Sequence, residues 1–132
     1  MSTIKVTNLQ DTSGGNSSTS EEIFEGRAKA WINFNGSGTV AIRDDFNVSS
    51  ITDTADGEYD VNLTNAMADT NYAILATTGI KTNRFRGVFE RNDVTRTTTQ
   101  FRITNAGQSA SSSGLNSGET DSERISVAVF GD

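Results

Sequence analysis

The chain has no cysteine, no histidine and no proline, and few apolar residues. Each absence excludes something. Without cysteine there is no disulfide framework and no thiolate zinc site. Without histidine the Ser-His-Asp arrangement and the commonest general base are gone. With neither, a transition-metal site would have to rest on carboxylates. Without proline, sheet edges must be blunted by charge, by bulges or by pairing. Hydrophobic residues make up 33% of the 132 positions, against a usual ~45–50% that counts glycine as well. Either the Ser/Gly-rich ends are partly disordered, or the core is completed against further copies of the chain. No apolar run approaches the ~20 residues of a membrane helix, and no apolar segment follows a basic start as in a secretory signal.

What is present is alternation. Ala28, Ala30 and Ile32 alternate with Arg27, Lys29, Trp31 and Asn33, and a side-chain period of two places the two sets on opposite faces of a sheet. Asn35-Gly36-Ser37-Gly38 follows, then Val40 and Ile42. Glycine and asparagine tolerate the positive φ that tight hairpins need. Asp56-Gly57 stands between Ile51 and the run Tyr59, Val61, Leu63, a second hairpin signal. These patterns predict strands over 27–34, 39–43, 46–52, 58–64, 71–78, 84–91, 97–104 and 123–130. Many short strands with turn chemistry between them define an all-β fold, an antiparallel β-sandwich or jelly-roll-like domain. The last strand, with Ile125, Val127 and Val129 on one face, is expected in a central position.

The division expected is an N-terminal arm and linker over 1–25 and a sandwich domain over 26–132. Ile4, Val6 and Leu9 mark a short strand or extended arm, residues 12–19 a flexible linker, and Glu21-Glu22-Ile23-Phe24-Glu25 one helical turn capped by Ser20. Residues 105–122 read as a long mobile loop, and Asp44-Asp45 as a turn.

No Gly-x-Ser-x-Gly elbow, P-loop or dinucleotide fingerprint occurs. Asp53, Asp56 and Asp60 around Gly57 have the flavour of a calcium loop, but the spacing departs from the EF-hand order and no Glu closes it. Solvated carboxylates at a hairpin are the favoured reading, so neither a metal nor another cofactor is expected. The net charge of −6 argues against a nucleic-acid partner, which needs a basic footprint. The basic residues cluster, however. From 81 to 102, Lys81, Arg84, Arg86, Arg91, Arg96 and Arg102 stand against Glu90 and Asp93. Arg84 and Arg86 share one face of a strand, expected to be the outer one, and Phe85, Gly87 and Phe89 the other. Arg84, Arg86, Arg91 and Arg96 are candidates for anionic glycan or subunit contacts, or are cross-strand partners of acidic residues. Trp31 is a candidate for stacking on sugars, for the core or for an interface.

Several segments together resemble a known module. They are Ala-Trp-Ile-Asn-Phe-Asn-Gly-Ser-Gly-Thr-Val-Ala-Ile-Arg (30–43), Phe-Asn-Val-Ser-Ser-Ile-Thr-Asp (46–53), Gly-Glu-Tyr-Asp-Val-Asn-Leu-Thr (57–64) and Ala-Met-Ala-Asp-Thr-Asn-Tyr-Ala (66–73). With the leader Ser-Thr-Ile-Lys-Val-Thr-Asn-Leu-Gln-Asp-Thr-Ser-Gly-Gly-Asn (2–16), they resemble a module of virion proteins of tailed phages, above all marine cyanophages. The resemblance spans residues 2–75 in order and fades beyond Ile80. It implies a non-enzymatic structural protein of a virion, made in the host cytoplasm. The part implied is a tail-fibre or appendage module contributing to host-surface attachment. The alternative is a capsid-surface decoration protein; a small carbohydrate-active enzyme resting on paired carboxylates stands behind both. Fibre-like virion proteins are usually three-fold, so a homotrimer is expected, with the arm over 4–9 lying on a neighbour. Other virion proteins and a host surface glycan are the remaining expected partners. Host contact is expected on loops near 79–83, 91–97 and 105–122, away from the scaffold-like N-terminal part.

Overall fold

The computed structural model describes residues 1–79, 84–111 and 114–131, and within them the side chains of all but 84, 108–111 and 114–117. The N-terminal part forms a two-stranded ribbon, β1 (Asn8–Gln10) and β2 (Ser17–Thr19), and a helix α1 (Ser20–Gly26). Thr19, not Ser20, caps the helix. Its side chain accepts from the Glu22 amide at 3.0 Å, and Glu22 accepts from the Thr19 amide at 2.8 Å. This reciprocal capping box satisfies two donors that a Ser20 cap would leave open. Asp11 organises the ribbon loop, accepting from Ser13, Gly15 and Asn16.

The remaining strands form two antiparallel sheets. One has the order β4 (Ala41–Phe46), β3 (Ala30–Asn35), β11 (Ile125–Phe130), β7 (Ala73–Thr78). The other has β5 (Val48–Ala55), β6 (Glu58–Leu63), β9 (Gln100–Ser111), with β8 (Arg84–Glu90) along the far side of β9. β10 (Gly114–Glu119) pairs with the extension of β9 beyond β6. The two sheets pack into a β-sandwich. Inward residues at period two supply the core: Ala30, Ile32 and Phe34 from β3, Ile125, Val127 and Val129 from β11, Tyr59, Val61 and Leu63 from β6, and Phe101 and Ile103 from β9. Phe34 and Tyr59 meet edge to face across the layers, centroids 5.1 Å apart, the orientation favoured by the ring quadrupoles. Met67 and Tyr72 close one end.

All eight strands expected from alternation are present, with shifted ends. β11 lies between β3 and β7 as expected. Two further expectations fail. Asp44 and Asp45 lie inside β4, paired with Asn33 and Ile32. The chain changes sheets two residues later, at Asn47, with φ of 59°. Asn47 holds this corner by donating to the carbonyls of Lys29 and Asn65 and accepting from the Asn65 amide at 2.8 Å. Residues 105–122 are not a loop for most of their length, because β9 runs to Ser111 and pairs with β10. Backbone pairing needs no apolar alternation, so a strand rich in Ser, Gly and Asn gives no sequence signal.

Gly57 shows how tightly the turns are set. It has φ of +70°, and a Cβ there would lie 2.5 Å from the Thr120 amide nitrogen and 2.6 Å from the Asn105 carbonyl oxygen. Both are backbone atoms in a paired network, for Asn105 N donates to Gly57 O and Thr120 N to Asn105 O. Gly57→Ala is therefore expected to lower unfolding free energy by about 2–4 kcal/mol, combining left-handed strain with a backbone clash. Urea denaturation measures this, and a change under about 0.5 kcal/mol would contradict the geometry.

Candidate functional site

Three places concentrate polar or exposed side chains: the outer face of each sheet, and one end of the sandwich. The end is a knot of loops. Asp121, between β10 and β11, accepts from the Gly57 amide and the Tyr59 hydroxyl, both at 2.9 Å. The same hydroxyl donates to Gly36 O at 2.7 Å, using the rotation of the phenolic hydrogen between two acceptors. Gly36 N donates to Ser122 O, and the Ser122 hydroxyl donates to Gly79 O at 3.0 Å. Burial first, then Asp121, pushes the Tyr59 phenol far up, so it stays neutral. Arg86 reaches this knot, donating to Asp121 O at 2.6 Å.

Arg86 corrects one expectation. Arg86 and Phe85 do fall on opposite faces of β8, but the outward one is the aromatic. Arg86 is opposite Gly107 and Val88 opposite the fully buried Asn105, which sets that face inward. Phe85 and Phe89 project outward, 88% and 57% exposed. The side chain of Arg84 lies outside the described residues.

Arg91, Arg96 and Arg102 are all consumed by carboxylates. Arg102 makes a two-pronged pair with Asp60, its cross-strand partner, at 2.6 and 2.8 Å. Arg91 pairs with both oxygens of Asp93, at 2.8 and 2.6 Å, and reaches Glu58 and Glu119. That hydrogen bonding holds the Asp93 carboxyl down at about 2. Arg96 pairs with Glu90 through two nitrogens, donates to the carbonyls of Thr70 and Tyr72, and lies over the Tyr72 ring at 4.6 Å. Burial raises the Tyr72 phenol to about 12. The fork of a guanidinium matches a carboxylate, and each pair so formed leaves little of it free for a glycan anion. Pairing with acidic residues is the reading this geometry supports, across strands for Arg102 with Asp60 and within a local segment for Arg91 with Asp93 and Arg96 with Glu90.

Asp60 is thus in a salt bridge, on the face opposite Tyr59, whereas Asp53 is aligned with Tyr59 across the β5–β6 pair. The three aspartates around Gly57 do not converge. Among the described residues no group of three acidic side chains is placed to hold a metal. The resolved carboxylate shifts, at Asp11, Asp69 and Asp93, are all downward. A general acid needs the opposite direction.

The outer face of the four-stranded sheet is different. Trp31, on β3, points away from the core and is 37% exposed. The pairing aligns it with Phe46 on one side and Ala128 on the other, and Ala128 with Leu75. One cross-strand row therefore reads Leu75–Ala128–Trp31–Phe46, with Phe46 and Leu75 more than half exposed. An open groove of about 710 Å³ runs beside it, lined by Trp31, Leu75, Thr77, Ser126 and Ala128. The next row, Thr77–Ser126–Asn33–Asp44, is polar. Sequence reading found Trp31 but missed Phe46 and Leu75. The signal that would have found them is parity: each has the outward phase of its strand.

No family model, no curated protein and no solved structure matches the chain. The class is that of an antiparallel β-sandwich, with an apolar row on one outer face and, on the other, salt bridges beside the exposed Phe85 and Phe89.

If Arg96 serves the fold, Arg96→Gln should cost about 1–3 kcal/mol, since it strands Glu90 and two carbonyls. In a cycle with Glu90→Gln, the double variant should lose less than the two single losses added, by about 1 kcal/mol. Additive losses in thermal or urea unfolding would show that the pair contributes nothing.

Proposed function

We propose that this chain is a non-enzymatic structural protein of a tailed-phage virion. In this reading it is a tail-fibre or appendage module that works as a homo-oligomer, a trimer by analogy with fibre-like proteins, and contributes to host-surface attachment. The observation that carries the proposal is the exposed cross-strand row Leu75–Ala128–Trp31–Phe46 on the outer face of the four-stranded sheet. Aligned apolar side chains on a sheet face mark an interaction surface. The resemblance of residues 2–75 to a phage virion module supplies the setting.

Within this reading we move the host contact. Arg91 and Arg96 are committed to carboxylates, so they are poor choices for an anionic glycan. We place the contact instead on the β8–β9–β10 end, where Phe85 and Phe89 are exposed beside Gly87 and Ala106. Loops and strand ends held on a rigid β frame are where binding residues concentrate. A second reading is favoured by the same arginines. A face whose charges are internally neutralised suits a decoration protein that binds a capsid shell and no receptor.

The test is electron microscopy of virions labelled on this protein, joined to competition by the purified protein for host adsorption. The proposal expects label on the tail and competition that falls at least about threefold, a factor worth under 1 kcal/mol, in Phe85→Ser/Phe89→Ser. Label on the head with no competition would replace attachment by decoration. Hydrolysis of a host polysaccharide, lost with one Asp or Glu substitution, would overturn the non-enzymatic reading.

A further inference from the structure

The N-terminal segment carries apolar side chains with nothing to bury them. Ile4 is 88% exposed and Val6 53%. Residues 3–7 read Thr-Ile-Lys-Val-Thr, a β-branched alternation with a single lysine, which fits an extended strand. Elsewhere the molecule has a strand edge with nothing paired to it. β4 pairs only with β3, and among the described residues no backbone hydrogen bond reaches its other side. All six of its side chains are exposed. The opposite margin of that sheet, β7, runs beside β8, and the edge strand β5 is interrupted by two register shifts, whereas β4 has one, at Arg43, and is regular over Asp44–Phe46.

We propose that residues 3–7 of one copy add as a fifth strand to the free edge of β4 in a second copy. This rests on the self-assembly part of the function proposed above, and not on the virion setting. Charge selects the occupant. β4 carries Asp44 and Asp45, and no ion pair between described residues reaches either. Arg43 does not oppose an incoming lysine, because its guanidinium turns back to donate to Phe34 O at 3.0 Å. Pairing of β4 with a second β4 would set these aspartates against each other, which like-charge repulsion disfavours. A strand bearing Lys5 meets them with the opposite sign.

The side-chain phase agrees. Phe46 and Asp44 face outward and Asp45 has the other phase, because their partners are Trp31, Asn33 and Ile32. An added strand with Ile4 and Val6 outward extends the row Leu75–Ala128–Trp31–Phe46 by one strand. Lys5 then falls on the face of Asp45. Main-chain hydrogen bonds would supply affinity and the alternate side chains the register, as in other strand additions.

Trp31 is the only tryptophan in the chain and lies in the row that the added strand extends, so its fluorescence reports occupancy. Light scattering on the full chain should give a mass above the monomer at about 50 µM, with Trp31 emission shifting to the red on dilution. Ile4→Ser/Val6→Ser should weaken assembly about tenfold or more and leave red-shifted emission at every concentration. Lys5→Glu should weaken it as well, and Lys5→Glu/Asp45→Lys should restore it. Assembly that persists in Ile4→Ser/Val6→Ser with unchanged emission would refute strand addition while leaving self-assembly intact. A monomer at all concentrations would overturn both. A monomer whose emission shifts in that variant would place the arm on its own β4 and overturn the second copy as its acceptor.

Discussion

Asp121 is the group on which the end of this sandwich depends. One carboxylate oxygen accepts from Gly57 N, and it shares the single Tyr59 hydroxyl hydrogen with Gly36 O, each oxygen within 2.9 Å of Tyr59 Oη. The β5–β6 turn, the β3–β4 turn and the β10–β11 link are thereby joined at one point. Ser122 brings in the end of β7 through Gly79. The two hairpins belong to different sheets, so the knot fastens layer to layer where the apolar core runs out. A chain with 33% hydrophobic residues has little surplus apolar area with which to do this. A buried hydroxyl satisfied by two acceptors is the polar substitute. Both hairpin glycines serve it: a Cβ at Gly36 would lie 2.5 Å from Tyr59 Oη.

The same scarcity explains how the two outer faces differ. On the sheet of β6, β9 and β8, the outward side of β6 and β9 carries ions that match each other, Arg102 with Asp60 and Arg91 with Glu58, Asp93 and Glu119, while β8 turns Phe85 and Phe89 outward. Pairs of this kind add little stability when exposed, but they leave few charges without a partner. On the other sheet, outward positions in one row are apolar and unpaired with anything. The phenols of Tyr59 and Tyr72 face inward with raised pKa, so neither outer face displays them. One face thus presents an apolar row, and on the other the arginines are held by carboxylates of the same chain.

Much of the fold was legible because alternation is a direct image of a two-layer sandwich. Ala30, Ile32 and Phe34, or Ile125, Val127 and Val129, could be assigned to one face by counting twos. Turns were legible at Gly38 and Gly57, which do take positive φ. What sequence could not supply was phase relative to the core. Arg86 and Phe85 separate as period two requires, yet which of them faces in depends on Asn105 across the ladder. Nor could composition reveal that Ser- and Gly-rich residues 106–111 and 114–119 pair as a hairpin, since their hydrogen bonds use the backbone alone. Partners were equally hidden. Arg91 and Arg96 could be read as ligand contacts, subunit contacts or partners of acidic residues, and the choice is made only when carboxylates from distant or looping segments are brought alongside.

Amide hydrogen exchange on two Asp121 variants tests the account of the fold most directly. Asp121→Asn keeps a carbonyl oxygen to accept from Gly57 N and Tyr59 Oη, and Asp121→Ala removes it. The account predicts near-native protection in Asp121→Asn. In Asp121→Ala it predicts that the amides of Gly36, Gly57 and Gly79, whose acceptors are Ser122 O, Asp121 Oδ1 and Arg124 O, lose protection together. Loss of protection at Gly57 alone, with Gly36 and Gly79 unchanged, would contradict it.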